Sequence, residues 1–192
     1  HRQSLPPLDF DKEETIAAAA ATLSREAPFD LIINAAGLLH SQRFMPEKRF
    51  ADLNYAQMFE TFRVNAFGPA LILSHFSKLL GDDRAVIAVL SAKVGSIADN
   101  RLGGWYSYRA SKAALNMFVK TAAIELRRTK PNAMLLALHP GTVTSRLSQP
   151  FRGAEIGRTA NDAVADMLDV IDSMTPACSG QFFSYSGERL QW

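Results

Sequence analysis

The sequence of 192 residues has little of what defines several other classes of protein. It has one cysteine, Cys178, which cannot form an intramolecular disulfide, so a reducing cytoplasm is the expected location. The net charge of +2, from 21 basic and 19 acidic residues, is too small to attract nucleic acid or an anionic membrane. No apolar run approaches the roughly 20 residues that span a bilayer, and the N-terminus lacks the apolar segment of a secretory signal. We therefore expect no nucleic-acid or membrane partner.

Two further scarcities concern ligands. The four histidines show no metal-ligand spacing with Cys178 or with the acidic residues, so we predict no metal site. None of the 11 glycines occurs before Gly37. Dinucleotide-binding folds place a glycine-rich turn after their first strand, and the sequence contains no such turn.

The sequence does contain alternating helical and strand patterns. Helices are predicted over residues 15–26, 54–80, 111–128 and 161–174, with Asp11 as the predicted N-cap of the first. Short apolar runs predict strands over residues 29–34, 85–90, 133–139 and 181–185. Buried strands that alternate with helices indicate an α/β fold with a parallel sheet covered on both faces. No linker or repeat is found, so residues 1–192 are predicted to form a single domain.

Ligands of such a sheet bind at the carboxyl ends of its strands. Three predicted strands end in small or polar residues, which let a flat ligand approach the backbone. The three runs are Asn34-Ala35-Ala36-Gly37, Ser91-Ala92-Lys93-Val94-Gly95-Ser96 and His139-Pro140-Gly141-Thr142-Val143-Thr144. We therefore expect the functional site at this edge.

A fourth candidate motif lies at the start of the third predicted helix. Tyr108 and Lys112 are four residues apart, which places their side chains next to each other on one helix face. An ammonium beside a phenol stabilises the phenolate and lowers the pKa of the phenol from about 10. Tyr108 is therefore expected to exchange a proton near neutral pH. Tyr106 has no such partner, since Ala110 lies four residues further on.

Together, these motifs resemble the short-chain dehydrogenase/reductase family, from about Leu8 to the C-terminus. The run from Gly95 to Tyr108 is similar to the C-factor-like branch of bacterial members. The resemblance implies a Rossmann-like, doubly wound parallel sheet in three layers. It also implies an NAD(P)-dependent oxidoreductase that transfers hydride between nicotinamide and a carbonyl or alcohol substrate.

The resemblance also implies a catalytic set of Tyr108, Lys112, Asn65 and a serine. Tyr108 would exchange a proton with the substrate oxygen while the serine hydroxyl holds the same oxygen. Lys112 would bind the nicotinamide ribose, and Asn65 would hold a water that links Lys112 to solvent.

The identity of the serine is open. In most of the family the catalytic serine is the second of a Ser-Ser pair, and here that pair reads Ser91-Ala92. We prefer Ser91, which directly ends a predicted strand, and keep Ser96 as the alternative. A shift of one residue at a strand end points the hydroxyl to the other face unless a bulge corrects it.

For the cofactor, the resemblance implies contacts from three parts of the chain. Asp9 would contact the adenine, and Asn34-Ala35-Ala36-Gly37 would line the cofactor and stabilise the sheet. The loop Pro140-Gly141-Thr142-Val143-Thr144 would pack on the nicotinamide, with Thr144 near the phosphates. The cofactor is expected to be NADP or NAD, and Arg2 slightly favours NADP because an arginine there can bind the additional phosphate.

Two classes of function follow. Counted back from Asn34, the chain is expected to begin before the family's third strand, so that the N-terminal strands and the glycine-rich turn would be missing. The favoured hypothesis is an oxidoreductase whose N-terminal part is not included in the chain. The alternative is a non-catalytic binding or signalling module that has lost cofactor binding.

The resemblance further implies a small-molecule carbonyl or alcohol substrate and a homodimer or homotetramer. The subunit contacts would involve helices 54–80 and 111–128. Residues 38–54 and 145–156, including Phe151, are expected to border the substrate pocket, the second segment as a mobile lid. The sequence does not identify the substrate.

Overall fold

The computed structural model describes residues 6–192, and its centre is a four-stranded parallel sheet. The strands follow the order of the chain: β1 (Leu31–Asn34), β2 (Ala85–Leu90), β3 (Ala133–His139) and β4 (Gln181–Ser184). Parallel neighbours need long crossover connections, and each crossover here contains at least one helix. The helices are α1 (Glu13–Leu23), α2 (Tyr55–Phe62), α3 (Gly68–Phe76), α4 (Tyr106–Leu126), α5 (Gly153–Ile156) and α6 (Ala160–Ser173).

Helices cover both faces of the sheet, which confirms the predicted three-layer fold. Alternate residues of β2 and β3 point to opposite faces, and all but the last residue of each strand are buried. Both strands are therefore covered on both sides. One face packs against α1, α3 and α4 through buried residues such as Ile16, Ile72 and Leu115. The other face packs against α6 through Val170 and Ile171. The sheet is thus the middle layer, with a core on each side.

The predicted helix over residues 54–80 is interrupted. A π-helical turn, Arg63–Phe67, separates α2 from α3, and a 3₁₀ turn follows α3. Gly68 opens α3 where a Cβ would lie 2.5 Å from the Phe10 ring, so glycine allows the close approach. π-turns widen a helix locally and are frequent at functional sites.

The start of α1 differs from the prediction. The N-cap residue is Lys12, with extended backbone angles, and not Asp11. The carboxylate of Asp11 instead pairs with Arg63, which is distant in sequence. The Thr15 hydroxyl donates to the Lys12 carbonyl at 2.7 Å. The N-cap thus lies one residue later than predicted, whereas the helix begins two residues before its predicted start at residue 15.

The longest helix, α4, begins five residues before its predicted start. Gly103 and Gly104 have φ values of +63° and +64°, and Trp105 continues with φ +53°, so the chain turns sharply into the helix at Tyr106. Within residues 6–192, no helix combines the length and the hydropathy needed to cross a membrane.

Candidate active site

Four parts of the chain meet at the carboxyl edge of the sheet. The Lys112 ammonium of α4 donates to the Leu90 carbonyl at the end of β2, at 2.8 Å. A Cβ on Gly37, just after β1, would lie 3.9 Å from Lys112 Nζ, 3.9 Å from Asn65 Oδ1 and 3.8 Å from Leu147. The ends of β1 and β2, the π-turn and α4 therefore surround one space, which a side chain at position 37 would enter.

Tyr108 lies in the first turn of α4 and is 8% exposed. Burial raises its pKa to about 12, because a phenolate would lose its hydration. The Lys112 ammonium lies 5.9 Å from the centroid of the Tyr108 ring and is bonded to a backbone carbonyl. The expected lowering of the Tyr108 pKa by Lys112 is therefore not found, since desolvation dominates.

Lys112 is 2% exposed, and burial lowers the pKa of its ammonium to about 8. An ammonium has three N–H donors, and its hydrogen bond within the described structure goes to Leu90. The remaining donors suit hydroxyl or carbonyl oxygens of a ligand. The side chain is thus a buried cation with donor capacity to spare.

Asn65 connects the segment after β1 to α4 and is fully buried in the π-turn. Its Nδ2 donates to the Leu38 carbonyl at 2.7 Å and to Ser111 Oγ at 3.1 Å, and its Oδ1 accepts from Leu38 N at 2.7 Å. Ser111 Oγ donates to the Tyr108 carbonyl at 2.8 Å. The side chain thus fixes the first turns of α4 against the β1 end.

Both candidate serines are buried and engaged in internal hydrogen bonds. Ser91 Oγ donates to Asn116 Oδ1 of α4 at 2.6 Å. Ser96 Oγ accepts from Asp99 N at 3.1 Å. Among residues 6–192, neither hydroxyl bonds to Tyr108.

The predicted cofactor residue Asn34 is 6% exposed and only partly satisfied. Its Oδ1 accepts from Ala36 N at 3.0 Å, while its buried Nδ2 has no partner in the described part of the chain. Ala35 and Gly37 are exposed, and Ala36 is half-buried. A buried donor without a partner costs free energy, so this amide suits a ligand or backbone acceptor.

The loop Pro140–Thr144 follows β3 and is shaped by Gly141. This glycine has φ +76°, and a Cβ there would lie 2.8 Å from the Tyr185 ring. Thr144 bonds to the following segment through N to Arg158 O at 2.9 Å and through Oγ1 to Gly153 O at 3.0 Å. The loop is thereby tied to α5 and to the segment between α5 and α6.

Two other predicted contacts lie elsewhere. Asp9 is exposed before α1, where its Oδ1 accepts from Asp11 N at 2.9 Å. Arg2 lies outside the described residues. The structure does not bring Asp9 into contact with the residues around Tyr108.

An aromatic chain borders the site. The Trp105 ring lies 6.1 Å from the Tyr108 ring and 4.9 Å from the Phe151 ring, both edge to face. His40 lies 5.8 Å from Phe151 and hydrogen-bonds to the Arg146 carbonyl at 3.1 Å. The two segments predicted to border the pocket thus approach each other beside α4.

Two titratable residues lie near the site, in segments that the sequence predicted to lie there without giving either residue a role of its own. Glu47, 3% exposed, accepts hydrogen bonds from the Ser107 backbone and hydroxyl. His139, at the end of β3, has a pKa lowered to about 4, mainly by burial and also by the charge of Lys93. Glu47 lies 60 residues from its partner, so no local pattern could have found it. Within the described residues, no three potential metal ligands cluster.

A parallel α/β sheet with a buried Tyr-Lys pair at its carboxyl edge is the arrangement expected of a short-chain dehydrogenase. The sequence model of this family, "short chain dehydrogenase", matches residues 4–155. The chain therefore belongs to the short-chain dehydrogenase family and is an enzyme of that type, which confirms the resemblance found in the sequence.

Two relatives show where the chain lies within the family. The chain is 32% identical over 188 residues to 1-hydroxy-2-glutathionyl-2-methyl-3-butene dehydrogenase of Rhodococcus sp. (strain AD45), covering 97% of this chain and 79% of the relative. It is 38% identical over 176 residues to C-signal of Myxococcus xanthus, covering 91% of this chain and 99% of the relative. The second match agrees with the C-factor-like branch.

Its fold is similar to that of the NADPH-bound carbonyl reductase from chicken fatty liver. The TM-score is 0.82 at 27% identity, and the match covers 97% of this chain and 76% of that chain.

Proposed function

We propose that the protein is an NAD(P)-dependent oxidoreductase that transfers hydride between nicotinamide and a carbonyl or alcohol carbon, with Tyr108 as the proton donor. The observation that carries the proposal is the buried Tyr108 beside Lys112 at the carboxyl edge of the sheet. The family membership and the NADPH-bound carbonyl reductase of similar fold support it.

The residues around the site fit a nicotinamide cofactor. The unused donors of Lys112 would bind the ribose hydroxyls, and Asn34 Nδ2 offers a further buried donor. The loop Pro140–Thr144 would pack on the nicotinamide ring. When bound, the cofactor supplies or accepts the hydride. We favour NADP over NAD because the reductase of similar fold binds NADPH.

The side chains would divide the proton chemistry between them. In reduction, Tyr108 donates its hydroxyl proton to the developing alkoxide, and a pKa of about 12 keeps that proton in place at neutral pH. Lys112, with a pKa of about 8, is mostly charged at pH 7 and holds the cofactor ribose beside Tyr108. Asn65 holds the first turns of α4. In our proposal, a proton from solvent then passes through a water near Asn65 and through Lys112 to the Tyr108 oxygen, which restores the phenol.

Calorimetric titration with NADPH and NADH tests the proposal, together with the loss of NADPH absorbance on addition of simple aldehydes and ketones. Because residues 1–192 contain no glycine-rich turn, the titration compares this chain with one extended N-terminally by such a turn. We expect the extended chain to bind NADPH in the micromolar range or tighter, with NADPH favoured over NADH, and to turn over at least one carbonyl compound, and the shorter chain to bind more weakly. Failure of both folded proteins to bind either nucleotide would contradict the proposal.

A second candidate is a non-catalytic binding or signalling module. The observation that favours it is the 38% identity to C-signal over 99% of that protein. The same titration separates the two, because this candidate predicts no nucleotide binding.

The serine assignment gives a separate prediction. We expect kcat of Ser91→Ala to be about tenfold lower than kcat of Ser96→Ala. The reason is that the Ser91 hydroxyl would exchange its bond to Asn116 for one to the substrate oxygen. Steady-state rates with a carbonyl substrate measure the difference. A normal rate for Ser91→Ala with an inactive Ser96→Ala would transfer the role to Ser96.

We also propose a homodimer or homotetramer through α2, α3 and α4. Helices α2 and α4 expose large apolar side chains, namely Tyr55, Met58, Phe59, Met117, Phe118 and Ile124. Large exposed apolar patches mark contact surfaces. We expect light scattering to give a mass of two or four chains, and a strictly monomeric mass would refute this assembly.

A further inference from the structure

The first turn of α4 requires a capping group from outside the helix. The first backbone N–H groups of a helix have no partner within it. The N-cap residue is Trp105, whose side chain has no acceptor, and the first turn of α4 contains no acidic residue. Trp105 also has φ +53°, which a residue other than glycine adopts only when its surroundings hold it.

Glu47 supplies the missing acceptors. It lies between β1 and α2, and its carboxylate accepts from Ser107 N at 3.2 Å and from the Ser107 hydroxyl. Its backbone carbonyl accepts from Trp105 N at 2.6 Å. Glu47 is 3% exposed, and a buried carboxylate is costly unless it is well hydrogen-bonded. Glu47 thus binds both the N-cap residue Trp105 and Ser107, the second residue of α4.

The segment that carries Glu47 is itself anchored. Gln57 of α2, 7% exposed, donates from Nε2 to the Met45 carbonyl at 3.0 Å. Gly104, with φ +64°, lies beside this segment, since a Cβ there would be in ordinary contact with the Glu47 carbonyl oxygen at 3.6 Å. The position of Glu47 is therefore fixed from its own side as well.

The residues that Glu47 holds adjoin Tyr108 along the chain and in space. Ser107 directly precedes Tyr108, and the Trp105 ring packs edge to face on the Tyr108 ring at 6.1 Å. A shift of the first turn would move the Tyr108 hydroxyl relative to Lys112, which is anchored separately through Leu90.

We infer that Glu47 is a positioning residue, which fixes the first turn of α4 and thereby the Tyr108 phenol against the substrate. Its effect on turnover rests on the proposed oxidoreductase function, whereas its effect on the geometry of α4 does not. It acts through Ser107 and Trp105 and does not itself touch the reacting atoms.

Two replacements separate hydrogen bonding from bulk. Glu47→Leu keeps a similar volume but has no acceptor. Glu47→Gln keeps both contacts, because Oε1 can accept from Ser107 N and Nε2 can donate to Ser107 Oγ. We expect Glu47→Leu to lower kcat by at least about tenfold, with KM for the cofactor changed less than about threefold. Glu47→Gln should restore kcat to within about threefold of the original.

The matched control is Asp52→Leu, on the same segment. The Asp52 carboxylate accepts from Arg49 N at 2.9 Å and Lys48 N at 3.2 Å but makes no contact with α4 in the described structure. Its replacement should leave kcat unchanged. A kcat for Glu47→Leu equal to that of the original protein, with only a lower melting temperature, would overturn the inference.

A second readout does not depend on activity. The chain has 2 tryptophans, so a Trp192→Phe background leaves Trp105 as the fluorescent reporter of the α4 entry. We expect Glu47→Leu to increase acrylamide quenching of Trp105 by about twofold, and Glu47→Gln to leave it unchanged. Equal quenching in all three proteins would refute the inference, even if the protein proved to have no oxidoreductase activity.

If Glu47→Leu does not fold, Ser107→Ala decides. It removes one of the two donors to the carboxylate and leaves Glu47 bound to the backbone. We expect kcat about threefold lower and more quenching of Trp105. Unchanged kcat and quenching would contradict the proposed role.

Discussion

Replacing Tyr108 with phenylalanine should lower kcat by at least about a hundredfold, the usual scale for the loss of a general acid. The substitution removes one oxygen from a side chain that is 8% exposed and packs against Trp105. The phenyl ring can keep that packing, so the fold should be retained. Because the Tyr108 pKa is about 12, the protein loses a donor that is protonated throughout the neutral range.

The measurement is steady-state NADPH oxidation with a carbonyl substrate, beside calorimetric titration of NADPH. Cofactor affinity should change less than about threefold, since Lys112 and the Pro140–Thr144 loop remain. Tyr106→Phe is the matched control: its ring contacts Phe50 at 6.0 Å, and no lysine lies four residues on. Near-normal turnover by Tyr108→Phe would refute the assignment of the proton donor.

The sequence predicted the central strands well because strands that are buried on both faces consist of continuous apolar runs. The apolar runs at residues 85–90 and 133–139 coincide with β2 and β3, each covered on both faces. The edge strand β1 is shorter than predicted, and Leu31 and Ile33 remain 39% and 47% exposed. An apolar run thus located the strands, and the exposure of β1 applies to residues 6–192 only.

The helices were predicted less well where distant contacts decide. Apolar spacing between residues 54 and 80 indicated one helix, but it cannot detect the π-turn Arg63–Phe67, which depends on the backbone hydrogen bonds. Asp11 had the residue type of an N-cap, yet Arg63 engages its carboxylate. In the second case, a contact that is remote in sequence prevailed over a local preference.

The same distinction applies to the candidate site. Tyr108 and Lys112 could be paired from sequence because four residues on a helix fix their proximity. The direction of the Tyr108 pKa shift could not be predicted from that pair, since burial by the rest of the fold raises this pKa. Glu47 gave no sequence signal, because its partner Ser107 becomes a neighbour only after folding.

Lys112→Met should separate stability from activity. We expect kcat to fall about a hundredfold, because the ammonium is lost from the space beside Gly37 where the cofactor would bind. The free energy of unfolding at neutral pH should increase. Burial lowers the pKa of Lys112 from 10.5 to about 8, so folding at neutral pH carries the cost of a desolvated charge, on the order of 3 kcal/mol.

The sign of the pH dependence follows from the same shift. Between about pH 8 and 10.5, the unfolded chain binds more protons at Lys112 than the folded chain does, so the original protein should gain stability as the pH rises through this window. Methionine removes that slope. At pH 7, the free energy of unfolding of Lys112→Met should exceed that of the original protein by about 1–2 kcal/mol, after loss of the bond to Leu90.

Urea unfolding from pH 7 to 10.5, beside kcat for the same proteins, tests both halves of this prediction. Lys120→Met, about two turns further along α4, should leave kcat unchanged and keep the slope. A less stable Lys112→Met, or one with normal turnover, would contradict the argument. If Lys112→Met is more stable and inactive, the buried ammonium lowers the stability of the original protein. A structural group would raise that stability, so this result is the one expected of an active-site group.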